Sequence, residues 1–219
     1  MNYIVPMGLG PDSFMFNYRN TTSSAHWKHA HQGIELLYIY EGRGEIALEL
    51  GQHVLAPGTL VLFQPYQLHL VKVPESAENS YVRTNLTFDP LIIDPYLTPF
   101  PELQRFFRSL WKGYLTKQVF ALPSGDTRIP DILEEFNACR AGGQGTEEER
   151  VLFLIQLLRH LQKHVFPPPS TEYEANSRVA KHIELMTDWL ERRFTEPFRL
   201  EAMAEQLHLS PYHVSHLFK

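Results

Sequence analysis

The sequence predicts an α+β protein: a β-barrel or jelly roll at the N-terminus, then helices, then a small all-α unit. Three observations carry this. Short strand-like stretches recur at close spacing through about residue 90. After about residue 100 the apolar spacing changes to three and four residues. Pro167-Pro168-Pro169-Ser170-Thr171 then interrupts the chain, because consecutive prolines supply no backbone donors for helix or sheet.

Within the β region, Leu36-Leu37-Tyr38-Ile39-Tyr40 reads as a strand, Glu41-Gly42-Arg43-Gly44 as a turn, and Gly44 to Gly51 as a half-buried strand of alternating residues. Pro57-Gly58 marks the next turn, followed by apolar Thr59 to Phe63, then His69 to Val73 and Ser80 to Phe88. Glu102 to Trp111 and Pro130 to Cys139 have helical spacing. Thr146 and Glu149 form a capping box, and acidic residues in that first turn suit the helix dipole. The helix they open runs to about His164. Its stripe of Val151, Leu154, Ile155, Leu158 and Leu161, widened by Phe153 and Leu157, exceeds half the circumference. That width predicts burial on one side and a homodimer contact on the other. Beyond the prolines, Ser177 caps a helix to about Phe194, and Arg199 to Leu207 forms a second. Ser210-Pro211 opens a third, with Val214, Leu217 and His213 turned inward. The expected domains are a barrel over 1–100, a helical dimerisation segment over 101–166, a linker over 167–176 and a helix-turn-helix over 177–219.

With 43% hydrophobic and 21% charged residues, the composition is that of a globular protein. No apolar run is long enough to span a membrane, and the N-terminus lacks the pattern of a secretory signal. Cys139 is the only cysteine, so no internal disulfide forms, which fits a cytoplasmic location. The net charge is −5, and residues 177–219 carry six groups of each sign, which excludes a strongly basic nucleic-acid binder. Neither a nucleophile-base pair nor a phosphate-binding glycine loop is evident, so enzymatic activity is not expected.

Leu200 to Lys219, with the Ala204, Leu209 and Ser210-Pro211 spacing and a terminal Leu217-Phe218-Lys219, resembles the first helix-turn-helix of AraC-type transcription regulators. The resemblance extends through the strand-rich N-terminus. It implies that Tyr212, Ser215 and His216 meet base edges and that Lys219 lies near phosphate. Such regulators have two helix-turn-helix units. This sequence ends after the first, so a C-terminally truncated DNA-binding region and weak DNA binding are expected.

His29-Ala30-His31, Glu35 and Gly42 are similar to the first cupin motif, and Gly51, Pro57 and His69 resemble the second. The implied fold is a cupin-like β-barrel (jelly roll). The implied metal ligands are His29, His31, Glu35 and His69, for a divalent transition metal; His26 lies outside the motif. In many AraC-type sensors the same positions line a pocket for an organic effector. Both readings stay open, with His29, His31, Glu35, Tyr38 and His69 as the effector set and Trp27, Tyr40 and Arg43 at its rim. Aromatic faces suit a sugar. The leading expectation is an effector-responsive, homodimeric, DNA-binding regulator. The alternatives are a metal-dependent cupin enzyme, isomerase or dioxygenase in type, and a sensing and dimerisation module without DNA binding.

Overall fold

The computed structural model describes residues 3–4, 13–21, 28–48, 51–74, 80–113, 115, 117–166, 185–187, 189–190 and 192–217. The chain divides into two compact units, one of residues 1–111 and 115–166, the other of 112–114 and 167–219. The triple proline and the Ser177 cap lie outside the described residues, as do His26, Trp27 and Lys219.

The first unit is built on a five-stranded antiparallel sheet in the order β10-β7-β4-β9-β2. Its strands are β2 (Phe14–Asn20), β4 (Ile34–Glu41), β7 (Thr59–Phe63), β9 (Val82–Phe88) and β10 (Val119–Ala121). A three-stranded sheet, β6-β5-β8, comprises β5 (Gly44–Leu48), β6 (Gly51–Leu55) and β8 (Leu70–Lys72). Two short strands, β1 (Tyr3–Ile4) and β3 (His29–Ala30), pair in parallel. The described strands thus form separate sheets, an open jelly roll rather than a closed barrel.

Because side chains alternate along a strand, β4 serves two cores. Ile34, Leu36 and Tyr38 join Leu86, Phe88 and the helices. Leu37 and Ile39 join Ile46, Leu55, Val61, Phe63 and Tyr81 between the two sheets. The β4–β5 turn depends on Gly42, whose φ is +92° and whose Cα lies so near Ser80 that a Cβ would meet its carbonyl oxygen at 2.6 Å.

Three helices cover the outer face of the large sheet: α1 (Pro101–Trp111), α2 (Arg128–Ala141) and α3 (Glu147–His160), which continues as a π turn over Leu161–Val165. Thr146 caps α3 by accepting from the Glu149 N–H at 3.2 Å, as its position in the sequence predicts. Phe136 and Phe153 stack at 4.0 Å, and Phe16 meets both edge-on. The predicted stripe on α3 is corrected here. Phe153, Leu154, Leu157 and Leu158 are buried in this core, so Leu154 and Leu158 are not available to a partner; exposed Leu152 is. The segment 101–166 is also not wholly helical, since it supplies β10.

In the second unit, helical residues at 185–187, 189–190 and 192–193 precede α4 (Leu200–Gln206) and α5 (Pro211–Leu217). Met186, Met203, Ala204 and Val214 form its core. His208, at φ +55°, turns the chain between α4 and α5. Trp189 Nε1 donates to Gln206 Oε1 at 2.8 Å, fixing the leading helical stretch to α4.

Candidate functional site

The register of the large sheet gathers polar groups into the space between the sheets. Glu35 lies opposite Phe63 on β7 and Thr87 on β9; Leu37 pairs with Asn85 and Ile39 with Arg83. Glu35, Asn85 and Arg83 therefore occupy one face. His29 and His69, far apart in sequence, exchange two backbone hydrogen bonds of 3.0 and 2.9 Å. His31 lies two residues beyond His29, just past the end of β3.

The three imidazoles each present a ring nitrogen within 4.8 Å of the others. Ring centroids are 4.3 Å apart for His29 and His69, and 5.1 Å for His31 and His69. Phe63 stacks on His69 at 4.1 Å. A cavity of about 140 Å3 opens beside them, lined by His29, Glu35, Phe63, His69, Tyr81, Arg83 and other residues.

Glu35 and His31 form a buried pair, with His31 Nε2 2.6 Å from Glu35 Oε2. Asn85 Nδ2 donates to Glu35 Oε1 at 2.6 Å. Burial opposes charge on both groups, yet each stabilises the other. Their hydrogen bond and mutual attraction hold the Glu35 carboxyl below, and the His31 imidazole above, its ordinary range. His69 is different: burial pushes it down to about 4, against the pull of Glu35, so the ring is neutral near neutral pH. Its Nδ1 lies 2.9 Å from the Gln67 carbonyl, which can only accept. The Nδ1 position therefore carries the proton and Nε2 the lone pair.

Gln67 is itself braced. Its amide and that of buried Gln118 exchange hydrogen bonds of 2.9 and 2.7 Å, and Gln118 also donates to the Leu62 carbonyl at 2.9 Å. Burial pushes the Tyr81 phenol up to about 12, and its hydroxyl has no hydrogen-bond partner. The Arg83 guanidinium sits 4.7 Å from the Tyr81 ring.

Of the expected pocket residues, His29, His31, Glu35 and His69 come together. Tyr38 does not: it lies on the opposite face of β4, in the core beneath the helices, as does Tyr40, whose ring packs 4.8 Å from that of Tyr38. Arg43 borders a separate surface depression with Lys72 and Pro74. Glu35 does not stand among the three clustered imidazoles as a fourth free donor, because both its oxygens are engaged. Sequence reasoning missed Tyr81, Arg83, Asn85 and Gln118. The signal for two of them was present, since Arg83, Asn85 and Thr87 are polar residues alternating with Leu86 and Phe88 on a strand otherwise suited to burial. In the second unit, Tyr212 and Ser215 on α5 are exposed and Val214 is buried, as expected; the side chains of His213, His216 and Leu217 lie outside the described residues.

Among known proteins, the family described as the AraC-like ligand binding domain matches residues 12–136. No curated protein matches the chain. Among solved structures, ToxT from Vibrio cholerae O395 bound to (E)-4-(8-methylnaphthalen-1-yl)but-3-enoic acid has a TM-score of 0.50 and 13% identity. The alignment covers 94% of this chain and 75% of that one. The AraC-like transcriptional activator CuxR has a TM-score of 0.36 and 12% identity, over 85% of this chain and 60% of that one. At 13% identity the likeness to ToxT is one of fold. The family match spans more than half of the sequence, and the chain belongs to the AraC-like ligand-binding domain family.

Proposed function

We propose that this chain senses a small molecule in the cavity beside His29, His31 and His69 and, through its helix-turn-helix, regulates transcription as a DNA-binding homodimer. One observation carries the reading: inside the family-matched region, polar groups from β3, β4, β9 and the loop before β8 converge on one small, half-open cavity. Convergent polar groups in a concave site are what orient a ligand. Exposed Tyr212 and Ser215 on α5 support base reading by that helix, with His216 and Lys219 assigned beside them by resemblance. The dimer contact is assigned to the outer face of α3, around Leu152. The N-terminal pair Tyr3–Ile4, hydrogen-bonded to the strand that carries His29, links the cavity to the start of the chain.

The experiment is fluorescence anisotropy with DNA from upstream of the protein's own operon, at about 150 mM salt, on the chain with and without added ligand. Binding should be specific for a site in that DNA, with affinity shifted about 5- to 150-fold by the ligand. The 219-residue chain should bind weakly, because residues 177–219 carry no net positive charge and one reading helix contacts few bases. Ligand that binds the cavity without changing DNA affinity would refute the regulatory reading.

A further inference from the structure

Away from the histidines, a shallow cleft of about 650 Å3 lies between the edge strand β2 and the last turns of α2. Its lining includes Asn17, Arg19, Asn20, Thr21, Asn137 and Arg140, and no carboxylate. In a chain of net charge −5, two guanidiniums without an acidic neighbour in the same cleft concentrate positive charge there.

Arg19 reaches the cleft from strained backbone. Its φ is +43°, in the left-handed region that non-glycine residues seldom enter. β2 shifts register against β9 between Asn17 and Asn20, so Arg19 sits in the irregular step. Two contacts hold it: its backbone N–H donates to Thr84 Oγ1 at 3.1 Å, and its guanidinium lies 4.4 Å from the centre of the Tyr40 ring. Irregularities of this kind re-aim a side chain, and the strain persists where the surroundings over-determine it. Arg140 arrives from α2. One N–H of its guanidinium donates to the Phe16 carbonyl at 3.1 Å, which sets the group beside β2 and leaves the rest of the fork for other acceptors. Both arginines are exposed, and neither forms an ion pair among the described residues, unlike Arg108, which is held by Asp94.

Unpaired guanidiniums flanking a concave surface suit a phosphoryl group, whose oxygens accept the parallel N–H bonds of an arginine fork. Inorganic phosphate alone would leave most of the cleft to water. Small-molecule sites run from about 300 to 1,000 Å3, and side-chain amides such as those of Asn17 and Asn137 hydrogen-bond the hydroxyls of an attached sugar.

We infer that this cleft binds a small phosphate monoester, its phosphoryl group held between Arg19 and Arg140. It is a second ligand site, since it shares no lining residue with the histidine cavity. Strand β9 links the two: Asn17 pairs with Asn85 and Asn20 with Arg83, and both partners line that cavity. The inference does not depend on the cavity being the sensing site.

Isothermal titration calorimetry of the 219-residue chain with ribose 5-phosphate, ribose and inorganic phosphate tests it. Ribose 5-phosphate should bind once per chain, inorganic phosphate more weakly, and ribose at least tenfold more weakly. Arg19→Gln and Arg140→Gln should each weaken ribose 5-phosphate about 10- to 100-fold, with far-ultraviolet circular dichroism unchanged because both residues are exposed. Arg140→Lys, which keeps the charge and loses the fork, should weaken it as well. Arg105→Gln removes an exposed arginine of α1 that is outside the cleft and should leave binding unaltered. Absence of ribose 5-phosphate binding by the folded chain overturns the site, as does wild-type affinity in any of the three cleft variants. A loss in Arg105→Gln equal to that in Arg19→Gln reduces the effect to net charge and also overturns it. Ribose binding as tightly as its phosphate overturns the phosphoryl assignment, and inorganic phosphate binding more tightly overturns the ester.

Discussion

Two phenols, Tyr40 and Tyr81, are pushed up to about 12 by burial. The unfolded chain ionises its tyrosines near 10, so it gives up protons first as the pH climbs. The stability these residues contribute is complete below about pH 10 and is withdrawn between about 10 and 12. An ultraviolet titration of the native protein should show these two phenols ionising late, and Tyr81→Phe should remove one of the late transitions. A single titration step near 10 in the folded state would contradict the burial. Backbone strain gives a second prediction at this scale. Gly42→Ala places a Cβ at φ +92° against the Ser80 carbonyl and should lower stability by about 1–3 kcal/mol in urea melts, whereas Gly58→Ala, at φ +79° but with open space around it, should lose less. At single positions, part of the site was legible and part was not. The spacing of His29, His31 and Glu35 marked the cluster before any coordinates. Tyr38 was misassigned although strand alternation argues against it: an odd separation from Glu35 puts the two on opposite faces. The engagement of both Glu35 oxygens was not legible, because Asn85 arrives from a strand fifty residues away.

Among the elements, α3 shows how tertiary packing divides a wide apolar stripe. Its inner residues fill the core under the large sheet, so Leu158→Ala should cost about 2–5 kcal/mol. Leu152 is exposed, and Leu152→Glu should change monomer stability by no more than about 0.5 kcal/mol. Analytical ultracentrifugation of that variant tests the proposed dimer: the wild-type chain should associate and Leu152→Glu should not. A folded variant that dimerises as before would move the contact elsewhere. The stripe itself was plain in the sequence, since a period near 3.6 survives any packing partner; which flank stays open depends on where α1 and α2 fall. Strands β2 and β10 escaped sequence reading for opposite reasons. Phe14–Asn20 mixes polar and aromatic residues and is kinked by a register shift before Asn20, while Val119–Ala121 is too short for a period to show. Yet β10 matters to the site, because neighbouring Gln118 braces the loop that presents the Gln67 carbonyl to His69. Gln118→Ala should therefore destabilise the protein by about 1–3 kcal/mol, with chemical-shift changes at His69 that a distant core mutation does not produce.

At the scale of the whole chain, the division into two units follows from composition: the triple proline separates a mixed sheet-and-helix sequence from one of short amphipathic helices. Residues 1–166 should therefore unfold as one cooperative transition when produced alone, by calorimetry. Loss of cooperativity would mean the first unit depends on the second. The pairing of His29 with His69 has a further consequence for this unit. Those two backbone bonds shut a loop of about forty residues that contains β4, β5, β6 and β7, two strands from each of the two larger sheets. Anything that grips both histidines acts as a reversible staple across that loop, restricting the unfolded chain in the way a disulfide would, by an amount on the order of 3–4 kcal/mol. With a single cysteine the chain forms no internal disulfide across this loop, so a ligand that gripped both rings would supply a restraint that sulfur does not.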